Sequence, residues 1–189
     1  MTGTATARPV PVTGDSFRAA LARHAAGVVI VTAQPDEAPY GARPAAVPYG
    51  ARPEAAAEPP AGLTATSFTS VSVDPPLVSF YVAASSSTLP RLREAATFAV
   101  NVLGPDQADL AARFARRDVD RFAAPTRWWR GPGGEPMLAG ATARLRCDWH
   151  ATHAVGDHLL VVGRVIGVEL GGAGDPLLYH RGRFGRFVA

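Results

Sequence analysis

The stretch Gly62–Val78, GLTATSFTSVSVDPPLV, restricts the fold more than any other part of the chain. Five hydroxyl side chains fall within nine residues (Thr64, Thr66, Ser67, Thr69 and Ser70), and the run stops at Asp74-Pro75-Pro76. On the two-residue period of a strand, Leu63, Ala65 and Ser67 point one way and Thr64, Thr66 and Phe68 the other. A strand that is half hydroxyl suits an ordinary core badly, because each buried hydroxyl needs a hydrogen-bond partner. Two accounts stand at this point. Either a ligand rich in donors and acceptors lies on the strand, or the strand is a solvated Thr/Ser edge.

The rest of the chain reads as strands with helical decoration. Residues 1–14 form a loose tail, and Asp15 or Ser16 caps a helix with Phe17, Ala20, Leu21 and His24 on one face, stopped by Gly27. Val28–Thr32 is a short buried strand. Residues 34–61 carry seven of the 17 prolines, and PYGARP at Pro39–Pro44 recurs at Pro48–Pro53. Proline at that density excludes helix and central strand, so the segment is an exposed inserted loop, with Tyr40 and Tyr49 as anchors if it docks anything. Leu77–Val82 and Phe98–Leu103 are strands. Thr88 is placed to cap a helix over Leu89–Ala95, with Pro90 in its first turn. Pro105–Ala115 is an amphipathic helix, Asp118–Phe122 a helical turn, and Trp128-Trp129 belongs to a glycine-rich loop. Ala141–Ala151 alternates, His158–Leu170 is a long strand bent at Gly163 and Gly167, and Pro176–Tyr179 is the last strand. About seven strands in runs, against three short helices, predict an antiparallel barrel or sandwich.

Composition narrows the function classes. At 189 residues with 47% hydrophobic side chains, the chain has ample material for a single globular core. No run approaches the ~18 apolar residues of a membrane span, and the N-terminus lacks a signal-peptide core. A single cysteine, Cys147, excludes an internal disulfide and fits a reducing cytoplasm. The net charge is +3 and the pI about 9.6, with all 19 basic residues arginine. They are scattered, the densest run being Arg113, Arg116, Arg117 and Arg121, which suits a solvated helix face or a phosphate site rather than nucleic acid.

Several chemistries lack their motifs. No G-x-G-x-x-G follows a strand, no P-loop is present, and no serine lies in a G-x-S-x-G elbow. Cys147, His150 and His153 are spaced like metal ligands, but on a strand Cys147 and His153 share a face that His150 does not, so no metal site is expected. More informative is Gly156-Asp157-His158 at the start of a long strand. Alone, such a histidine is a packed or solvated residue. Beside a hydroxyl-rich strand, a Ser85-Ser86-Ser87-Thr88 loop and an arginine cluster, it completes a site for a polar ring system with a phosphate tail and a second substrate.

The run GLTATSFTSVSVDPPLVSF, followed in order by FAVNVL, ARFARRDVDRF, VGDH and LLYHRG, resembles the flavin reductase-like family of FMN-binding split barrels. The resemblance covers about Phe17–Gly182. It implies a mainly β fold with short helices, a six-stranded antiparallel split barrel over 15–189, in a homodimer. It implies NAD(P)H:flavin oxidoreductase activity, with FMN or FAD reduced by NADH or NADPH and delivered to a flavin-dependent monooxygenase. Carried over residue by residue, Thr64, Ala65, Thr66, Ser67 and Phe68 would line the isoalloxazine, and Ser70 and Val71 would continue that wall. Ser85, Ser86 and Ser87 would contact the ribityl-phosphate end, with Arg117 on the phosphate where the family commonly has lysine. His158, with Tyr179, Arg181 and Gly182, would border the nicotinamide. The cofactors carry the reactivity in such enzymes, which accounts for the absence of an obvious acid/base pair. A non-catalytic flavin- or haem-binding barrel is the competing reading. Gly156-Asp157-His158 favours the reductase over a monooxygenase subunit or a pyridoxamine-phosphate oxidase. The 34–61 insertion departs from the family, which has a short turn there.

Overall fold

The computed structural model describes residues 10–35, 59–172 and 174–187. The first nine residues of the expected tail, and the duplicated hexapeptides with Tyr40 and Tyr49, lie outside the described residues. In chain order the elements are α1 (Gly14–Leu21), β1 (Ala26–Gly27), β2 (Val29–Ala33), β3 (Ala61–Ala65), β4 (Thr69–Ser72), β5 (Leu77–Ala83) and α2 (Leu89–Arg93). There follow β6 (Thr97–Val102), α3 (Ala108–Ala115), β7 (Trp128–Arg130), β8 (Pro136–Leu138), β9 (Ala143–Val155), β10 (His158–Leu170), β11 (Leu177–His180) and β12 (Arg183–Arg186).

Seven strands form one antiparallel sheet in the order β3-β2-β6-β9-β10-β5-β4. The sheet curls until its ends approach: past β3, Ser67 Oγ accepts from the Tyr81 amide of β5 at 2.9 Å. Six of the strands, β2, β3, β5, β6, β9 and β10, send side chains into the main core, whereas β4 contributes none and lies exposed at the edge. The result is a mainly β, antiparallel split barrel with short helices. The hydroxyl-rich stretch is not one strand. It breaks after Ala65, because Thr66 and Ser67 turn out of the ladder, and resumes as β4.

Phe98 occupies the middle of the core, edge-on to Phe80 at 5.7 Å and to Trp149 at 5.1 Å between ring centroids. Its ring lies so close to β10 that a Cβ on Gly163 would fall 2.5 Å from Phe98 Cζ. The β9–β10 ladder shifts register between Val162 and Gly163 and between Val165 and Gly167, so both expected bends are β-bulges. The first bulge leaves His150 without a partner, since Val162 faces Ala151 and Gly163 faces Trp149. One extra residue reverses the alternation. Cys147 is therefore buried while His153 is exposed, and the two do not share a face as the simple period requires. Among the described residues no three His, Cys, Asp or Glu side chains are grouped to hold a metal ion.

A second sheet, β1-β11-β12, joins the barrel through Val28 and Leu177, whose amide and carbonyl bond at 3.0 Å. Leu177 packs with Phe114, Leu138 and Ile30 in a second core beneath α3. Trp128 and Trp129 belong to the β7–β8 hairpin rather than to a loop. Residues 118–122 form no helical turn. Asp120 Oδ1 instead accepts from the Phe122 and Ala123 amides at 2.9 and 3.1 Å, which satisfies the backbone without a helix. The cap of α1 is Thr13, in a reciprocal capping box with Ser16, and Phe17 and Leu21 on its apolar face remain more than half exposed. No helix of the described residues is long and apolar enough to cross a membrane.

Burial pushes the Cys147 thiol up to about 12, so the thiolate is scarce at pH 8. Alkylation by iodoacetamide at pH 8 is expected to run more than about a hundredfold slower on the folded protein than in denaturant. The unfolded thiol ionises first as pH rises above its ordinary value of 9.0, so this group also lowers stability between there and about 12. Equal labelling rates in folded and unfolded protein would contradict the burial.

Candidate active site

Strand β3 sets the site because its two faces have different partners. Leu63 and Ala65 pack on the main core, while Thr64 on the other face donates its hydroxyl to the Ala111 carbonyl of α3 at 2.7 Å. That bond, and the absence of a side chain at Gly62, bring α3 down onto the strand. A Cβ on Gly62 would lie 2.7 Å from Phe114 and 3.1 Å from Phe122. Beyond Ala65, Thr66 and Ser67 are exposed at the barrel mouth.

The C-terminal end of β5 forms the opposite wall. After Ala83 the chain turns, with the Ser86 amide bonded to the Ala83 carbonyl at 2.9 Å and the Thr88 amide to Ser86 Oγ at 3.3 Å. Thr88 has helical backbone angles and makes no side-chain cap to α2, contrary to expectation. Its hydroxyl accepts from Arg121 Nη1 at 2.8 Å instead. The same Nη1 donates to the Gly62 carbonyl at 2.7 Å, and Arg121 Nε donates to the Arg116 carbonyl at 2.9 Å. One guanidinium thus ties β3, the serine loop and the end of α3 together. Burial, then the charges of Arg117 and Arg91, push its pKa down. Arg116 is paired with Asp118 at 2.8 Å, whereas Arg117 makes no ion pair or hydrogen bond among the described residues.

His158 is the first residue of β10, held by a two-residue turn in which Gly156 takes φ +58° and Asp157 stays at negative φ. That pattern belongs to a type II′ hairpin, where a side chain at the first position would be strained. His158 stands opposite Ala83 in the ladder, and its Nδ1 lies 2.6 Å from Asp157 Oδ1. The hydrogen bond to His158, then its charge, hold the Asp157 carboxyl below the usual range. With an ionised acceptor on Nδ1, the proton sits there and Nε2 is left for another partner.

These elements enclose a cleft of about 390 Å³. Thr64, Ala65, Thr66 and Ser67 form one wall, and Tyr81, Val82 and Ala83 the other. Ser86, Ser87, Arg117 and Arg121 stand with His158 around the rim, and no carboxylate lines it among the described residues. A slot with hydroxyls and backbone along its length, guanidinium charge at part of its rim and an imidazole on it suits a planar polar ring carrying a phosphate.

Residues 21–187 match the flavin reductase like domain. The chain belongs to the flavin reductase-like family. It is 40% identical to the NADH:FMN oxidoreductase of Rhodococcus erythropolis over 92% of this chain and 81% of that one. It is 35% identical to the reductase component of 4-hydroxyphenylacetate 3-monooxygenase from Thermus thermophilus, over 92% and 97%. Among solved structures, the NADH:FAD oxidoreductase of Streptomyces globisporus, in complex with NAD and FAD fragments, superposes with a TM-score of 0.78 at 34% identity, over 96% of this chain and 98% of that one.

On this flavin reductase-like scaffold the expected site residues divide. Thr64, Ala65, Thr66, Ser67, Ser86, Ser87, Arg117 and His158 converge on the cleft. Phe68 turns to the core, Ser70 and Val71 lie on the exposed edge strand β4, and Ser85 is exposed beside the cleft without lining it. Tyr179, Arg181 and Gly182 belong to the β11–β12 hairpin of the second sheet and do not line the cleft of the chain that carries His158. Tyr81, Thr88, Phe114 and Arg121 line it without having been expected there. Arg121 was visible only as one of an arginine run. Nothing in its spacing distinguished a bracing cation from a solvated one.

The contact at Gly62 gives a direct test. Gly62→Ala is expected to lower the denaturation midpoint by the equivalent of about 1–3 kcal/mol and to weaken flavin binding, because the buried Phe114 ring must shift. An unchanged melting temperature would show that α3 does not sit against β3 as described.

Proposed function

We propose that the protein is an NAD(P)H:flavin oxidoreductase, passing a hydride from NADH or NADPH to FMN or FAD and supplying reduced flavin to a separate flavin-dependent monooxygenase. The observation that carries this reading is the cleft itself. Hydroxyls and a strand edge lie along a slot that has uncompensated arginine charge and His158 on its rim. The donor set fits a flavin: the polar edge of the ring needs backbone and hydroxyl partners, its tail needs cations, and the lining offers both, with no carboxylate among the described residues. When bound, the nicotinamide and flavin supply the redox chemistry between stacked rings.

The chain's residues orient and enclose. The strand-edge groups at Thr64–Ser67 hold the ring against β3, with Ser67 Oγ already fixed by the Tyr81 amide. Ser86, Ser87 and Arg117 take the phosphate. Arg121 spends its hydrogen bonds on carbonyls and on Thr88, so it adds charge while holding the walls apart at a fixed distance. His158 borders the incoming nicotinamide, with its ring oriented through Asp157. No proton transfer is required of the lining, because the step between the stacked rings is a hydride transfer.

The protein works as a cytoplasmic homodimer of 15–189 units. Large apolar side chains exposed at Phe17 and Leu21 on α1, and at Val155, Ile166, Val168 and Leu170 on the β9–β10 ribbon, support self-association. A second copy would bring a further surface to the barrel mouth, which is where Tyr179, Arg181 and Gly182 could meet a nicotinamide.

His158→Ala should lower kcat for NADH oxidation with added FMN by about tenfold or more, with flavin affinity retained. Unchanged steady-state oxidation in that variant would remove His158 from the mechanism. Light scattering of the eluting protein should give twice the 19.7 kDa chain mass. A monomer that reduces flavin at full rate would refute the dimer.

A further inference from the structure

The cleft does not end at its arginines. A second compartment of about 440 Å³ continues from it, sharing Ser87, Thr88, Arg117 and Arg121 and adding Arg91, Asp120 and Phe122. Each compartment has the size of a pocket for one mononucleotide. His158 lines the first and not the second, so the extension lies beyond the arginine rim rather than beside the nicotinamide residue.

The extension sets three guanidiniums, those of Arg91, Arg117 and Arg121, along its length beside the carboxylate of Asp120. Arg117 has no partner among the described residues, and Arg91 donates from Nη2 to the neutral Pro59 carbonyl and makes no ion pair among the described residues. Arg121 stands between them, its pKa pushed down by burial first and then by the charges of both neighbours. Asp120 is the one carboxylate lining the extension among the described residues. Asp118 is committed to Arg116, and Asp120 Oδ1 to two backbone amides. Asp120 Oδ2 makes no hydrogen bond among the described residues and suits a ribose hydroxyl. FMN ends at one phosphate, within reach of Ser87 and Arg117. FAD adds a second phosphate, a ribose and an adenine, which call for a second cation, a hydroxyl acceptor and room.

We propose that the second compartment holds the ADP half of FAD, so that Arg91 and Asp120 make the protein selective for the dinucleotide flavin over FMN. The proposal rests on the reading of the first compartment as a flavin site. NADH also carries an ADP half, so the test below separates the two dinucleotides.

Calorimetric titration of the full chain with FAD and with FMN tests the selectivity without relying on turnover. FAD is expected to bind about tenfold tighter than FMN, and Arg91→Gln, which keeps a donor for Pro59, should erase most of that ratio. Asp120→Ala should narrow it as well, and a thermal melt of each variant checks that the loop still folds. Equal wild-type affinities for the two flavins, or an Arg91→Gln loss that falls equally on both, would overturn the proposal. So would a variant whose sole defect is a raised KM for NADH, since the compartment would then belong to the nicotinamide dinucleotide. NADH oxidation is followed separately. A chain that prefers FAD yet consumes no NADH or NADPH would uphold the selectivity and refute the reductase reading.

Discussion

The half-buried guanidinium of Arg121 is the contact on which the mouth of the barrel depends. It reaches the Gly62 carbonyl of β3, the Thr88 hydroxyl after the serine loop, and the Arg116 carbonyl at the end of α3. Three segments distant in sequence are fixed by one planar fork, a geometry that an ammonium group does not reproduce. Neutral acceptors, rather than a carboxylate, satisfy its donors. The positive charge therefore remains effective towards the cleft, where an ion pair would have cancelled it.

Close backbone packing makes that arrangement reachable. Gly62 lets Phe114 and Phe122 approach β3, and Thr64 converts the approach into a hydrogen bond to α3. On the far side of the barrel Gly163 does the same for Phe98, and the bulge beside it bends β10 round the core. Buried polar groups in the second core are paired rather than removed: Asn101 donates to the Ile30 carbonyl and accepts from the Leu138 amide, which fastens the β7–β8 hairpin to β6. The rigid parts of the barrel thus hold up a site made largely of loop and strand ends.

Much of the fold was legible because it rests on local signals. His158–Leu170 was read with its bounds intact, since a Gly-Asp turn precedes it and β-branched and aliphatic residues dominate it. Other elements were misread where a side chain satisfied the backbone in an unexpected way. Ser67 left the ladder to cap the Tyr81 amide, and Asp120 bonded two amides where a helical turn was expected. The break between β3 and β4, and the phase reversal at His150, are consequences of partner strands that a single strand's period does not reveal.

The sequence by itself determined an antiparallel, mainly β class (barrel or sandwich), the hydroxyl-rich stretch, the serine loop and the histidine after its turn, because each depends on residues adjacent in the chain. Family resemblance then linked them to flavin chemistry. Only the tertiary structure decided which of those hydroxyls reach the cleft, that Arg121 braces it while Arg117 is left open, and that a second arginine-lined compartment continues beyond them. The reason is physical. A guanidinium's role is set by the acceptors that surround it, and here those acceptors come from Gly62 and Thr88, far from Arg121 in the chain.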